Sequence, residues 1–158
     1  MFKLRHIVFC LPLLASPALA NDVAFGSARD TADQPVQVSA DSLSVNQEDG
    51  QATFQGNVAI SQGEMLLSAQ TVLVTYNEDG EGIESLLASG GVTLVNGPVA
   101  AEAQQADYNI DKAIVVLTGN VLLTQGQNVI SGEKVTINLD SGTAQIGGRV
   151  RTTLEIKE

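Results

Sequence analysis

The seven residues Phe54-Gln55-Gly56-Asn57-Val58-Ala59-Ile60 place an apolar or glycine residue at every second position. The pattern returns as Ala88-Ser89-Gly90-Gly91-Val92-Thr93-Leu94 and as Leu117-Thr118-Gly119-Asn120-Val121-Leu122-Leu123, and more weakly as Ile146-Gly147-Gly148-Arg149-Val150-Arg151-Thr152. A period of two within each copy predicts a β-strand with one buried face. The glycines at 56, 90, 119 and 148 lie 34, 29 and 29 residues apart, which predicts one supersecondary unit repeated along the chain. By parity each glycine shares the apolar face. A missing side chain there marks a bend, a bulge or a close approach of backbones. For any one copy a plain hydrophobic β core explains the pattern; four copies favour a stacked, elongated β architecture.

A second signal lies between the copies. Val36, Val38 and Ala40 alternate, the phase slips, and Leu43 and Val45 resume it. The same slip follows Ala69 before Val72, Val74 and Tyr76, follows Ala103 before Ala106, Tyr108 and Ile110, and follows Gly132 before Val135, Ile137 and Leu139. An inserted residue flips the pleat, so a strand that turns a corner there keeps its apolar side chains inward. Polar tips at 46–50, 77–80, 109–112 and 140–142, and reversals at 62–64, 96–98 and 125–127, separate the runs. Asp-Gly, Ser-Gly and Asn-Gly pairs suit tight reversals. No window beyond residue 20 has a convincing period of 3.6. The expectation is an all-β chain, an antiparallel meander of bent strands wound along one axis.

The N-terminus has the form of a secretory signal: Lys3 and Arg5, an apolar run from Ile7 to Leu14, and Ala18-Leu19-Ala20. Residues 1–20 are read as the signal, 21–34 as a flexible lead-in and 35–158 as one β domain. Loss of Lys3 and Arg5 leaves 6 basic residues against 18 acidic ones, a balance of −12, which speaks against nucleic acid as a partner. Cys10 and His6, the chain's single cysteine and histidine, leave with the signal. Cys-His and Ser-His-Asp catalysis and structural zinc sites therefore have no residues to use. The acidic tips fit neither of the repeated calcium-loop spacings and read as solvated hairpin ends. Carboxylate hydrolysis of a glycoside would need acids facing a cleft, whereas most here fall on outward positions. No catalytic residue, metal ligand or cofactor is expected.

The inward set is mostly Val, Ile, Leu and Ala. A closed core is one reading of it. A long sandwich of two thin sheets, however, has open ends and a possible open seam, and apolar faces left uncovered suit acyl chains, at roughly 0.8 kcal/mol per buried CH₂.

Several stretches carry a resemblance. Asp33-Gln34-Pro35-Val36-Gln37-Val38, Phe54-Gln55-Gly56-Asn57-Val58, Val72-Leu73-Val74-Thr75, Val115-Val116-Leu117-Thr118-Gly119-Asn120, Ile130-Ser131-Gly132-Glu133-Lys134-Val135 and Arg149-Val150-Arg151-Thr152-Thr153-Leu154 stand in order over nearly all of the chain beyond the signal. Together they resemble the organic-solvent-tolerance (LptA) family, the periplasmic bridge proteins of the lipopolysaccharide-export machinery. The resemblance implies an elongated β-jellyroll open along one seam in the periplasm. It implies lipopolysaccharide as cargo, held by its lipid A moiety, with Val36, Val38, Leu94, Tyr108 and Ile110 as lipid-contacting interior residues. It further implies partnership with the inner-membrane and outer-membrane jellyroll proteins of that machinery, and head-to-tail self-association. Tyr76 departs from the family pattern, which has a basic residue after the third strand.

The residues bear on self-association in their own right. The first regular strand, expected over Pro35 to Ala40, and the last, expected over Arg149 to Ile156, would leave unpaired edges that another chain completes. Arg149, Arg151 and Lys157 at one end and Asp30, Asp33 and Asp41 at the other would orient such a contact. Two other readings stand beside the carrier: a secreted β-helix acting on polysaccharide, which would show shorter rungs without reversal tips, and a non-catalytic structural β-scaffold.

Overall fold

The computed structural model describes residues 23–24 and 34–153. The expected signal, most of the expected lead-in and residues 154–158 lie outside them. Among the described residues all regular structure is β. The strands are β1 (Val23–Ala24), β2 (Gln37–Ser39), β3 (Ser42–Asn46), β4 (Gln51–Gln62), β5 (Met65–Tyr76), β6 (Ile83–Asn96), β7 (Val99–Asn109), β8 (Ile114–Gln125), β9 (Asn128–Asn138), β10 (Thr143–Gly147) and β11 (Arg151–Thr153). Every pairing is antiparallel. The order is β1-β10-β9-β8-β7-β6-β5-β4-β2, with β3 also on β4 and β11 also on β9. Sequence neighbours are sheet neighbours through β4 to β10, as short reversals require.

One line of bends crosses every long strand. In β4 the register jumps from Gln55 opposite Thr71 to Val58 opposite Ala69, three residues against two. The same jump recurs in β6 between Ser89 and Val92 and in β8 between Thr118 and Val121. The extra residue falls in the glycine strands each time, at Gly56-Asn57, Gly90-Gly91 and Gly119-Asn120. All six have positive φ, from 46° to 86°. Two successive left-handed residues make a bulge sharp enough to fold the strand, and glycine or asparagine enters that region at least cost. The partner strands carry no insertion. Their inward residues are spaced by three across the corner, as Ala69 to Val72 and Ala103 to Ala106, and this is the phase slip seen in the sequence. The fourth copy, at Gly148, breaks the strand outright: β10 and β11 lie on either side of it, both paired to β9.

Parity through the bulge does not hold. The glycines do not point into the apolar interior. A Cβ built on Gly56 would lie 2.6 Å from Asp41 Oδ2, on Gly90 2.7 Å from Gln70 Cβ, on Gly119 2.6 Å from Gln104 Oε1, and on Gly148 2.6 Å from Glu133 Cβ. Positive φ turns each of these positions toward the exposed ridge of the corner, where the polar residue of the neighbouring strand occupies the space. Asp41 is also held there by its N–H, which donates to the Gly56 carbonyl at 2.9 Å, and by Asn57 Nδ2, which donates to Asp41 Oδ2 at 2.8 Å.

The corner divides the sheet into two layers. The first contains β2, the later halves of β4, β6 and β8, the earlier halves of β5, β7 and β9, and β11. The second contains β1, β3, β10 and the remaining halves. Their inner faces pack into one apolar core, with Ile60, Leu67, Leu94 and Leu123 from the first layer and Val72, Leu86, Leu117 and Ile137 from the second, all buried. Opposite the corner, the turns of both layers border a mouth that no strand among the described residues crosses.

Three boundaries differ from expectation. Val23 and Ala24, expected in an irregular lead-in, pair with Ala144 and Thr143. Their two residues are too short for periodicity to reveal; a tertiary edge selects them. The first regular strand shrinks to Gln37–Ser39, because Pro35 has no N–H to give a ladder. Of the expected last strand, Arg151–Thr153 is seen; Arg149 and Val150 instead belong to the break after Gly148, and residues 154–156 fall outside the described set.

Candidate functional site

The interior is the feature to examine, because the two layers surround it and leave its ends incomplete. Val36 and Val38 lie at the β2 end, partly buried against the core, Val38 directly opposite Ile60. Leu94 is central in the first layer, between Leu67 and Ala101, and is 0% exposed. Tyr108 is central in the second layer, between Leu86 and Val115, and is 2% exposed. Ile110 follows β7, half-buried on the same core, with its N–H donating to the Glu84 carbonyl at 3.0 Å. The five residues thus share one continuous apolar interior but not one local pocket; they are spread along it from the β2 end to its middle.

The β2–β3 end is uncovered by any of the described residues. Leu43 stands opposite Phe54 and Val45 opposite buried Ala52, so both face inward, yet they are 56% and 59% exposed. No strand among the described residues lies beyond them to complete the layer. Among the described residues, two large apolar side chains thus stand on an inner face and open to solvent. At the other end β11 is exposed along its length, and Arg149 and Arg151 line an outer hollow of about 250 Å³ with Glu133 and Ser131.

A polar feature lies under the mouth. Tyr108 crosses from the second layer, and its hydroxyl donates to Gln62 Oε1 of the first layer at 3.0 Å. Gln62 Nε2 in turn donates to the Gln34 carbonyl at 3.0 Å. Burial raises the Tyr108 pKa; the Gln62 bond opposes the rise and the charge of Asp140 adds to it. Gln62 is one of a series. Inward parity runs 58-60-62 in β4, 92-94-96 in β6 and 121-123-125 in β8, so Gln62, Asn96 and Gln125 occupy the same last inward position. Each is six residues beyond its corner glycine and directly before the next turn glycine. Sequence reading grouped them with the polar reversals and missed that they face inward; counting parity one step further into the turn would have found them.

Asn96 differs from its counterparts. It is 2% exposed, and its Nδ2 has no hydrogen-bond partner. Met65 and Val99 flank it on β5 and β7, both buried. A buried donor left unpaired costs about 1–3 kcal/mol. Among the described residues no group of three or more His, Cys, Asp or Glu is placed to hold a metal ion, and no helix is long and apolar enough to cross a membrane.

A sheet creased along one line, apolar between its layers and unfinished at its ends, defines a class: the elongated antiparallel β-jellyroll whose interior is a slot. Within that class the chain belongs to a family described as LptA/(LptD N-terminal domain) LPS transport protein, which it matches over residues 37–143. It is 34% identical to the lipopolysaccharide export system protein LptA of Escherichia coli strain K12, across 97% of this chain and 88% of that protein. It is 30% identical to the lipopolysaccharide export system protein LptH of Pseudomonas aeruginosa, across 82% of this chain and 78% of that protein. The crystal structure of LptH, titled the LptA-homologous periplasmic component of a conserved lipopolysaccharide transport device, superimposes with a TM-score of 0.73 at 21% identity over 80% of this chain and 99% of that one. That likeness carries the fold.

Proposed function

We infer that this protein is a periplasmic, non-catalytic carrier that holds the acyl chains of lipopolysaccharide between its two layers and passes them along its axis as one section of a bridge between the membranes. The observation that carries the reading is the single apolar interior, left uncovered at the β2–β3 end, in a chain of this family. Val36 and Val38 would meet the acyl chains at that end, Leu94, Tyr108 and Ile110 farther in. The layers must part to admit a lipid. Side-chain contacts across the slot are then exchanged for contacts with acyl chains, so little apolar surface is left in water at either stage. Sections stack head to tail, the β2–β3 end of one receiving the β11 end of another or of a jellyroll partner at either membrane. Backbone groups on the outer edges of β2, β3 and β11 supply the ladder. Exposed Asp41 at one end and Arg149 and Arg151 at the other disfavour like-to-like contact.

Photo-crosslinkers placed at Val38 and Tyr108 in cells test the carrier reading. Lipopolysaccharide captured there, and not from the exposed positions Gln37 and Asp107, is the expected result; equal capture from both sets overturns it. Val38→Asp should cut lipid binding, because it sets an unpaired carboxylate against an apolar wall. Light scattering over a concentration series tests the stacking. A heterologous contact does not close on itself, so mass should keep rising with concentration. A monomer at every concentration overturns it.

A further inference from the structure

We propose that Asn96 is a hydrogen-bond donor for the cargo, its Nδ2 engaging an acyl-linkage carbonyl, ester or amide, at the mouth of the slot. The assignment rests on the carrier reading above. Three observations carry it. The donor is buried and unpartnered while its surroundings, Met65 and Val99, are apolar, so the folded chain keeps a polar group where a leucine would pack. Its position is the last inward one before the turn, about 20 Å along the strand from the corner at Gly90, so a guest with its chains in the slot brings the polar ends of those chains to this row. And the position recurs: Gln62 and Gln125 hold the same place two strands to either side, about 10 Å away along the axis. An acyl carbonyl entering a dry slot needs a donor to replace water, and an amide at the lip provides one without a charge to desolvate. The Gln62 donor, Nε2, is already given to the Gln34 carbonyl, and Gln125 also has a partner, which leaves Asn96 as the central place where the bond forms without first breaking another.

The test compares two probes on the protein purified after export. Purified lipopolysaccharide carries acyl carbonyls, whereas a pyrene-labelled alkane has none. Asn96→Leu should weaken lipopolysaccharide binding about five- to tenfold and leave alkane binding unchanged. Asn96→Gln, the residue found at 62 and 125, should keep wild-type affinity for both. Undiminished lipopolysaccharide affinity in Asn96→Leu overturns the proposal. So does an equal loss for both probes, which would mean that the leucine has merely reshaped the slot. Asn96→Leu should also melt at a higher temperature than wild type. A lower melting temperature would show that the amide is satisfied inside the unloaded protein, and this too overturns the proposal. Should Asn96→Leu fail to fold, infrared spectra of the wild-type protein loaded with ¹³C-carbonyl lipopolysaccharide decide the matter. A fraction of the carbonyl band shifted to lower frequency, and restored in Asn96→Ala, supports the bond; identical bands in the two proteins overturn it. Wild-type protein that binds lipopolysaccharide poorly but the alkane well overturns the carbonyl contact alone; binding of neither overturns the carrier reading with it.

Discussion

The corner and the mouth are the two long borders of the same slot, and they are built in opposite ways. At the corner the backbone does the shaping: paired left-handed residues in β4, β6 and β8, with Gly56, Gly90 and Gly119 each facing a neighbouring polar residue at a distance that excludes a Cβ. At the mouth the backbone merely reverses, and what joins the layers is side-chain contact, the Tyr108 to Gln62 hydrogen bond included. A border made by backbone cannot yield without unfolding strands. A border made by side chains opens at the cost of a few contacts. If the layers part to admit lipid, as we propose, while the strands keep their register, the protein needs one of each.

Breaking the rigid border should do the most damage. Gly90→Val forces a β-branched residue to a φ of +85° and drives its Cβ into Gln70, whose Cβ lies 2.7 Å from the site. The expected loss is about 3 kcal/mol of stability, read by chemical denaturation. A loss below about 1 kcal/mol would mean that the corner is as compliant as the mouth.

Loosening the soft border should cost less. Tyr108→Phe removes the cross-layer bond, for an expected loss of about 1 kcal/mol. Hydrogen exchange should quicken at Gln62 and Asn96 before it does at Val58 or Val92. The same variant has a pH signature. The folded pKa of Tyr108 is raised above the ordinary 10.0, so the folded chain holds this proton more tightly than the unfolded chain does. Its contribution to stability is therefore full below pH 10 and is lost as the pH rises through the folded value. Wild type should lose stability more steeply than Tyr108→Phe above pH 10. Parallel alkaline profiles would show that the hydroxyl is not sealed in.

The smallest effect sharpens the account of the corner. Asn120 has a φ of 47°, and the equivalent place in β6 is already Gly91. Asn120→Gly should change stability by less than about 0.5 kcal/mol, since relief of strain offsets the added freedom of the unfolded chain. Asn57→Gly should cost more, because it also removes the 2.8 Å bond to Asp41.

The corner was largely legible from the residues. Gly-Asn and Gly-Gly at fixed spacing, and the phase slips at Ala69, Ala103 and Gly132, are local signatures of local conformations. Only the direction in which the glycines point was misread, because parity counts pleats and a bulge is where pleats fail. The mouth was barely legible. Gln62, Asn96 and Gln125 look like turn residues, and their burial arises from the facing layer, which no local pattern encodes. Leu43 and Val45 were rightly placed on the inner face, but alternation cannot tell that the layer ends with them. Val36, Val38, Leu94, Tyr108 and Ile110 were all expected inward; how deeply each is sealed depends on packing across the slot.

The repeat has a consequence for movement. β4–β5, β6–β7 and β8–β9 are near copies, so a lipid held between the layers as we propose would, on shifting by two strand spacings, about 10 Å, meet nearly the same walls. The energy it feels is a row of similar wells rather than a slope. Such a track lets a passenger wander in either direction and holds no preference for forward travel; the bias has to be imposed where the track is loaded and where it is emptied. If copies stack end to end as we propose, that uniformity would let the track be lengthened piece by piece without changing the ride.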